Sequence, residues 1–218
     1  MYFNYKQFFS IVLMALVDAQ YKFLFVDVGS CGRFADGGVF NSCSLSAALE
    51  AVDNPLQVPA DCNLPGTDIC LPYVMVADDA FAMKRYLVKP YSARNLNLQQ
   101  RIFNYRLSRA RRVVENAFGI LSSRFRIFGK AIPLAPEKVQ TIVIAACCLH
   151  NFLFRNKSAA AQNMLEIPQQ MADLQSVCQP NKINRHANDA IAVRDKLCTY
   201  FSSTAGAVSW QMNAVNAI

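Results

Sequence analysis

Residues 7–17 (QFFSIVLMALV) and 21–28 (YKFLFVDV) are two nearly continuous apolar runs, rich in Phe, Val, Ile and Leu. The short polar stretch Asp18-Ala19-Gln20 parts them, and two β-rich runs joined in this way predict a hairpin. Residues 29–43 read as a glycine-rich loop, and Ser44–Val52 as a short helix capped by Ser44. Pro55, Pro59, Pro65 and Gly66 predict an irregular connection over 53–70. Tyr73–Ala77 (YVMVA) reads as a short buried strand ending at Asp78-Asp79, and 89–100 as a loop around Pro90. A long helix is expected from about Gln99 to Ser123. FRIFGKAI adds a short extended piece. Pro136 then opens a helix over Glu137–Phe154, so apolar after Gln140 that burial is expected. The pattern fades over residues 156–186, which read as a flexible linker, and a final helix is expected over Ala187–Phe201. The order β-β-α-β-α-α predicts an α/β layer fold.

Composition sharpens this picture at two points. The chain has 218 residues, 53% apolar, and a formal net charge of +7. From Arg101 to Lys130 eight cationic residues stand against one acid, Glu115, so this one segment carries an excess equal to that of the whole chain. An anionic partner, nucleic acid first, follows from such a patch. The eight cysteines show no CxxC pair and no zinc-finger spacing, which favours free thiols in a reducing compartment over a disulfide framework. Lys6 followed by FFSIVLMALV has the look of a secretory signal, but the run flows directly into a second strand, so the hairpin is preferred. Ten apolar residues do not span a bilayer, and no membrane partner is expected.

Three carboxylates are candidates for chemistry. Asp78 closes a strand, Glu115 sits alone in the arginine-rich helix, and Asp36 lies in the glycine-rich loop. Hard oxygen ligands of this kind suit Mg²⁺ or Mn²⁺, and phosphodiester cleavage by two metals needs carboxylates from separate elements. Each also has a plain structural role open to it. Asp78 suits the cap of a following helix, AFAMKRYL. Glu115 stands four residues after Arg111 and three after Arg112, where an intrahelical ion pair is the default. Asp36 before Gly37-Gly38 suits a turn. The arginines Arg106, Arg109, Arg111, Arg112, Arg124 and Arg126 are candidates for phosphate contact, because guanidinium forks match phosphate geometry.

Four blocks, FFSIVLMALVDAQYKFLFVDVGSCGRFADGGVF, VADDAFAMKRYLVKPY, FNYRLSRARRVVENAFGILSSRFRIF and AACCLHNF, resemble the nuclease domain of PIF/Harbinger-type transposases and their domesticated relatives. They run in the family's order from about Tyr2 to Phe154. The resemblance implies an RNase H-like mixed sheet flanked by helices, with a nuclease domain over 1–155, a linker over 156–186 and a C-terminal helix and tail over 187–218. It implies DNA as substrate, a divalent metal cation (Mg²⁺ or Mn²⁺) as cofactor, a separate Myb/SANT-like DNA-binding partner protein, and nuclear localisation. Asp78 matches the second aspartate of a DDE triad, Glu115 the triad glutamate, and Asp36 a further acidic position in the glycine-rich loop.

One departure stands against these matches. The family's first aspartate lies in a motif of the type Ile-Asp-Gly-Thr-His upstream of the FFSIVL block, and these 218 residues hold no such motif. The fold is therefore expected to lack its first, central strand, and cleavage is expected to be weak or absent. The alternative function is a non-catalytic DNA- or protein-binding module that uses the arginine-rich helix.

Overall fold

The computed structural model describes residues 2–4, 7–92, 94–155 and 188–216. They form a mixed α/β structure in which the strands pair as three separate two-stranded sheets. Two compact units are present, Met1–Ser46 with Arg112–Val177, and Ala47–Arg111 with Cys178–Ile218.

The first unit is built on the expected hairpin, β1 (Ile11–Val17) against β2 (Phe23–Cys31), antiparallel with Ala15 opposite Val26. Its turn is set by Asp18, whose Oδ1 accepts from the amides of Gln20 and Lys22, both at 2.9 Å, a short-range bond that aspartate makes readily. Gly29 is the extra residue of a bulge between the Val12–Ser30 and Leu13–Val28 pairs, and its φ of +123° is one that glycine adopts without strain. β2 runs three residues further than expected, into the supposed glycine-rich loop. That loop also contains a helix, α1 (Asp36–Ser42), which buries Val39 and Phe40. Burial of two large side chains outweighs the poor helix propensity of Gly37-Gly38. α2 (Ser44–Glu50) follows as expected.

In the second unit the connection 53–70 is irregular apart from a two-residue pairing of β3 (Cys62–Asn63) with β4 (Cys70–Leu71). The strand expected over Tyr73–Ala77 is only β5 (Met75–Val76), parallel to β6 (Leu87–Val88). It is not buried: Val76 is 37% exposed, as is Tyr73 before it at 53%. No helix forms over AFAMKRYL. The segment turns and returns as β6, which buries Leu87 and Val88. Helix α3 (Leu98–Arg124) is unbroken over 27 residues. It starts at a reciprocal cap, in which Asn97 Oδ1 accepts from the Gln100 amide at 2.9 Å and Gln100 Oε1 from the Asn97 amide at 3.2 Å. FRIFGKAI is not extended but begins with a 3₁₀ turn, Arg126–Gly129.

α4 (Pro136–Arg155) buries Val143, Ala146, Cys147, His150 and Phe154. Its opposite face is exposed, contrary to the burial expected of so apolar a helix. α5 (Asn188–Ser202) and α6 (Gln211–Asn216) complete the second unit. The linker expected over 156–186 lies outside the described residues.

Each unit has its own core. In the first, Phe23, Ala117, Leu121, Val143, Ala146 and Cys147 pack together. In the second, Leu71, Val88, Phe103, Leu107, Val193, Leu197 and Cys198 do so. All seven cysteines among the described residues are free thiols. No helix among the described residues is long and apolar enough to cross a membrane.

Candidate functional site

Asp78 follows β5 by two residues, at the tip of a strand held parallel to β6. Its Oδ1 accepts from the Ala80 amide at 2.9 Å, closing a turn rather than capping a helix. Its Oδ2 faces the Arg111 guanidinium at 3.7 Å, with the carboxyl 14% exposed. The next residue, Asp79, holds buried Lys89 at 3.0 Å. Lys84 and Tyr86 both reach Glu50, and Arg85 bonds Asp61. The Asp78–Lys89 loop is thus pinned along its length by charged pairs.

Glu115 is exposed on α3. Among the described residues it makes no salt bridge, and Arg111, its expected i−4 partner, pairs with Asp78 instead. Asp36 is half-buried in the first turn of α1, so it opens a helix rather than standing in a turn. Among the described residues no three of His, Cys, Asp and Glu gather as a metal-binding group. Asp78 and Glu115 are oxygen donors of the type a hard divalent ion takes. Magnesium commonly uses one or two carboxylates, with water and substrate phosphate oxygens completing its shell.

The six arginines do different things. Arg106 Nη1 donates to the Gly206 carbonyl at 2.6 Å, and its guanidinium lies 3.8 Å from the Phe201 ring centroid. Burial holds this guanidinium below its ordinary pKa. Arg109 stacks over Trp210 at 4.3 Å. These two fasten the C-terminal segment to α3. Arg111 is occupied by Asp78. Arg124 lies 5.4 Å from the Phe154 ring, and its Nη1 is buried without a hydrogen bond among the described residues. Arg112 and Arg126 are exposed, as is Lys130.

The sequence pattern assigns no role to His150 and Asn151. His150 is fully buried, with Nε2 2.8 Å from the Tyr21 carbonyl. Its ring stacks on Phe154 at 4.5 Å and meets Phe23 edge-on at 5.0 Å. Asn151 bonds both backbone groups of Phe23: Nδ2 donates to its carbonyl at 2.8 Å, and Oδ1 accepts from its amide at 2.9 Å. The pair ties α4 to the start of β2. Their one signal in sequence is two adjacent polar residues inside the apolar stretch Ile142–Phe154.

The model of a family described as DDE superfamily endonuclease matches residues 1–151. The chain belongs to the DDE superfamily endonucleases. Among curated proteins, this endonuclease-family chain is 28% identical over 147 residues to "Protein ALP1-like" of Arabidopsis thaliana, covering 66% of the chain and 35% of the relative. It is 28% identical over 153 residues to "Putative nuclease HARBI1" of Homo sapiens, covering 69% of the chain and 39% of the relative. The chain therefore spans little more than a third of the length of either relative. No solved structure matches it.

Proposed function

We propose that this chain supplies a metal-dependent endonuclease site of the Harbinger type, with DNA as substrate and Asp78 and Glu115 as metal ligands. The observation that carries the reading is the family match across residues 1–151. An RNase H-like fold belongs to the same proposal. A bound Mg²⁺ or Mn²⁺ would supply activation of water and neutralisation of charge at the phosphate. The chain's own residues would act around it. Asp78 is steadied through one oxygen by the Ala80 amide and through the other by Arg111. Glu115 is exposed and has no competing salt bridge among the described residues. Asp36 is a further acidic candidate, at the start of α1. Phosphate contact falls to exposed Arg112, Arg126 and Lys130, because Arg106 and Arg109 are engaged by aromatic rings. Nuclear localisation and a separate DNA-binding partner protein accompany the proposal.

The test is Mn²⁺ binding by calorimetry on the full chain, with nicking of supercoiled plasmid as the second readout. Losing a group that only orients a ligand typically costs 10–100-fold in metal affinity, so loss of a ligand itself in Asp78→Asn or Glu115→Gln is expected to weaken Mn²⁺ by at least about 100-fold. Unchanged metal affinity and nicking in Glu115→Gln would remove the assignment. If DNA binding then proves metal-independent and steeply salt-dependent, the chain is a non-catalytic binding module.

A further inference from the structure

From Ile144 to Leu153 the face of α4 turned away from its core is apolar without interruption. Ile144, Leu149, Phe152 and Leu153 are exposed, Phe152 at 61% and Leu149 at 52%. Ala145 and Cys148 are exposed between them, and no charged residue occurs from Ile144 to Leu153. With about 3.6 residues per turn, these six positions share the side of the helix opposite its buried residues. A contiguous apolar stripe of this kind marks an interaction surface.

Two features of the stripe say what covers it. Ala145 and Cys148 form a low saddle bordered by bulkier Ile144, Leu149 and Phe152, which lets a second helix approach closely. One flank of the helix also carries opposite charges at its two ends, Glu137 in the first turn and Arg155 in the last, both exposed, while exposed Lys138 lies about 100° round the helix from Glu137. Eighteen residues, about five full turns, separate them, so both lie on the same flank. An antiparallel copy of α4 brings Glu137 of each chain to Arg155 of the other and opposes the two helix dipoles. A parallel copy would set like charges together. An antiparallel pair is also two-fold symmetric and therefore closed.

We propose that the exposed face of α4 is a homodimer interface, packed antiparallel on the same helix of a second copy about an axis near Ala145 and Cys148.

The test is light scattering coupled to size exclusion on the full 218-residue chain at tens of micromolar, with Leu149→Glu and Phe152→Glu beside the parent. The parent is expected as a dimer and both variants as monomers with unchanged far-UV circular dichroism. Glu137→Arg and Arg155→Glu should each weaken the dimer, and the double exchange should restore it. A short bismaleimide should join two parent chains through Cys148, and Cys148→Ser should remove that product although Cys62 and Cys70 remain exposed. Neighbouring Cys147 stays unreactive, its thiol pushed up to about 11 by burial. A monomeric parent, or a dimer indifferent to Leu149→Glu and Phe152→Glu, overturns the proposal. So does unfolding of both variants, which would show that the face is covered within its own chain.

Discussion

Replacing Asn151 with alanine deletes two hydrogen bonds at one stroke. The amide and carbonyl of Phe23 lose partners at 2.9 and 2.8 Å, beside a phenylalanine that is only 6% exposed. Water cannot easily replace what is lost, so the cost exceeds that of two exposed bonds. A net loss of about 1 kcal/mol per bond, raised by the desolvation of orphaned backbone groups, gives about 2–4 kcal/mol in all. At 1.4 kcal/mol per tenfold, the start of β2 should open about 30- to 700-fold more often. Hydrogen exchange of the β2 amides from Leu24 to Val28, which do not bond Asn151, read by mass spectrometry of peptides spanning β2, reports that opening. The urea midpoint followed by far-UV circular dichroism should fall in parallel. Lys138→Ala, at an exposed position of the same helix, controls for helix-wide effects and should shift stability by less than about 0.5 kcal/mol. Exchange of these β2 amides within threefold of the parent would refute the idea that this side chain anchors the hairpin.

Two further predictions follow from the same structure. Burial, with Arg124 nearby, holds His150 below its ordinary pKa of 6.5 despite the Tyr21 carbonyl. The folded imidazole is therefore neutral while the unfolded one takes a proton, so stability should be level above about pH 7 and fall as pH drops through 6.5. His150→Gln should flatten that slope in urea midpoints measured from pH 7.5 to 5.5. Arg106→Lys keeps the charge but loses the planar fork over Phe201 and the bond to Gly206. It should cost about 1–3 kcal/mol and speed proteolysis within α5 and α6, whereas a lysine variant as resistant as the parent would deny the arginine its anchoring role.

The parts of this fold legible in sequence are those decided locally. The hairpin follows from two β-rich runs and an aspartate turn. The start of α3 is written in Asn97 and Gln100, a capping pair that moves the boundary one residue ahead of the apolar pattern. Where a distant partner decides, local reading fails. α1 forms through Gly37-Gly38 because Val39 and Phe40 find cover. The apolar content of α4 gave no hint of which side would be covered. The candidate site divides in the same way. Asp78 at a strand tip and Glu115 on the helix lie on the elements expected of them. The expected Arg111–Glu115 pair is displaced by Asp78, 33 positions back along the chain. The arginine-rich segment reads as one charged field, yet Arg106 meets Gly206 a hundred residues away, a contact that no local pattern announces.

The bonds between Asn151 and Phe23 join residues 128 positions apart. On a ribosome adding about 5–20 residues per second, the hairpin emerges roughly 6–26 s before its clamp has been made. Until Arg124 has been made, the apolar face of β1 and β2 lacks the second half of α3, and through the whole interval it lacks the complete α4. Synthesis rate, chaperone occupancy and the order of emergence therefore bear on the yield of this protein as directly as its final stability does, and slow translation between Phe23 and Asn151 lengthens the period in which exposed strand edges can meet the wrong partner.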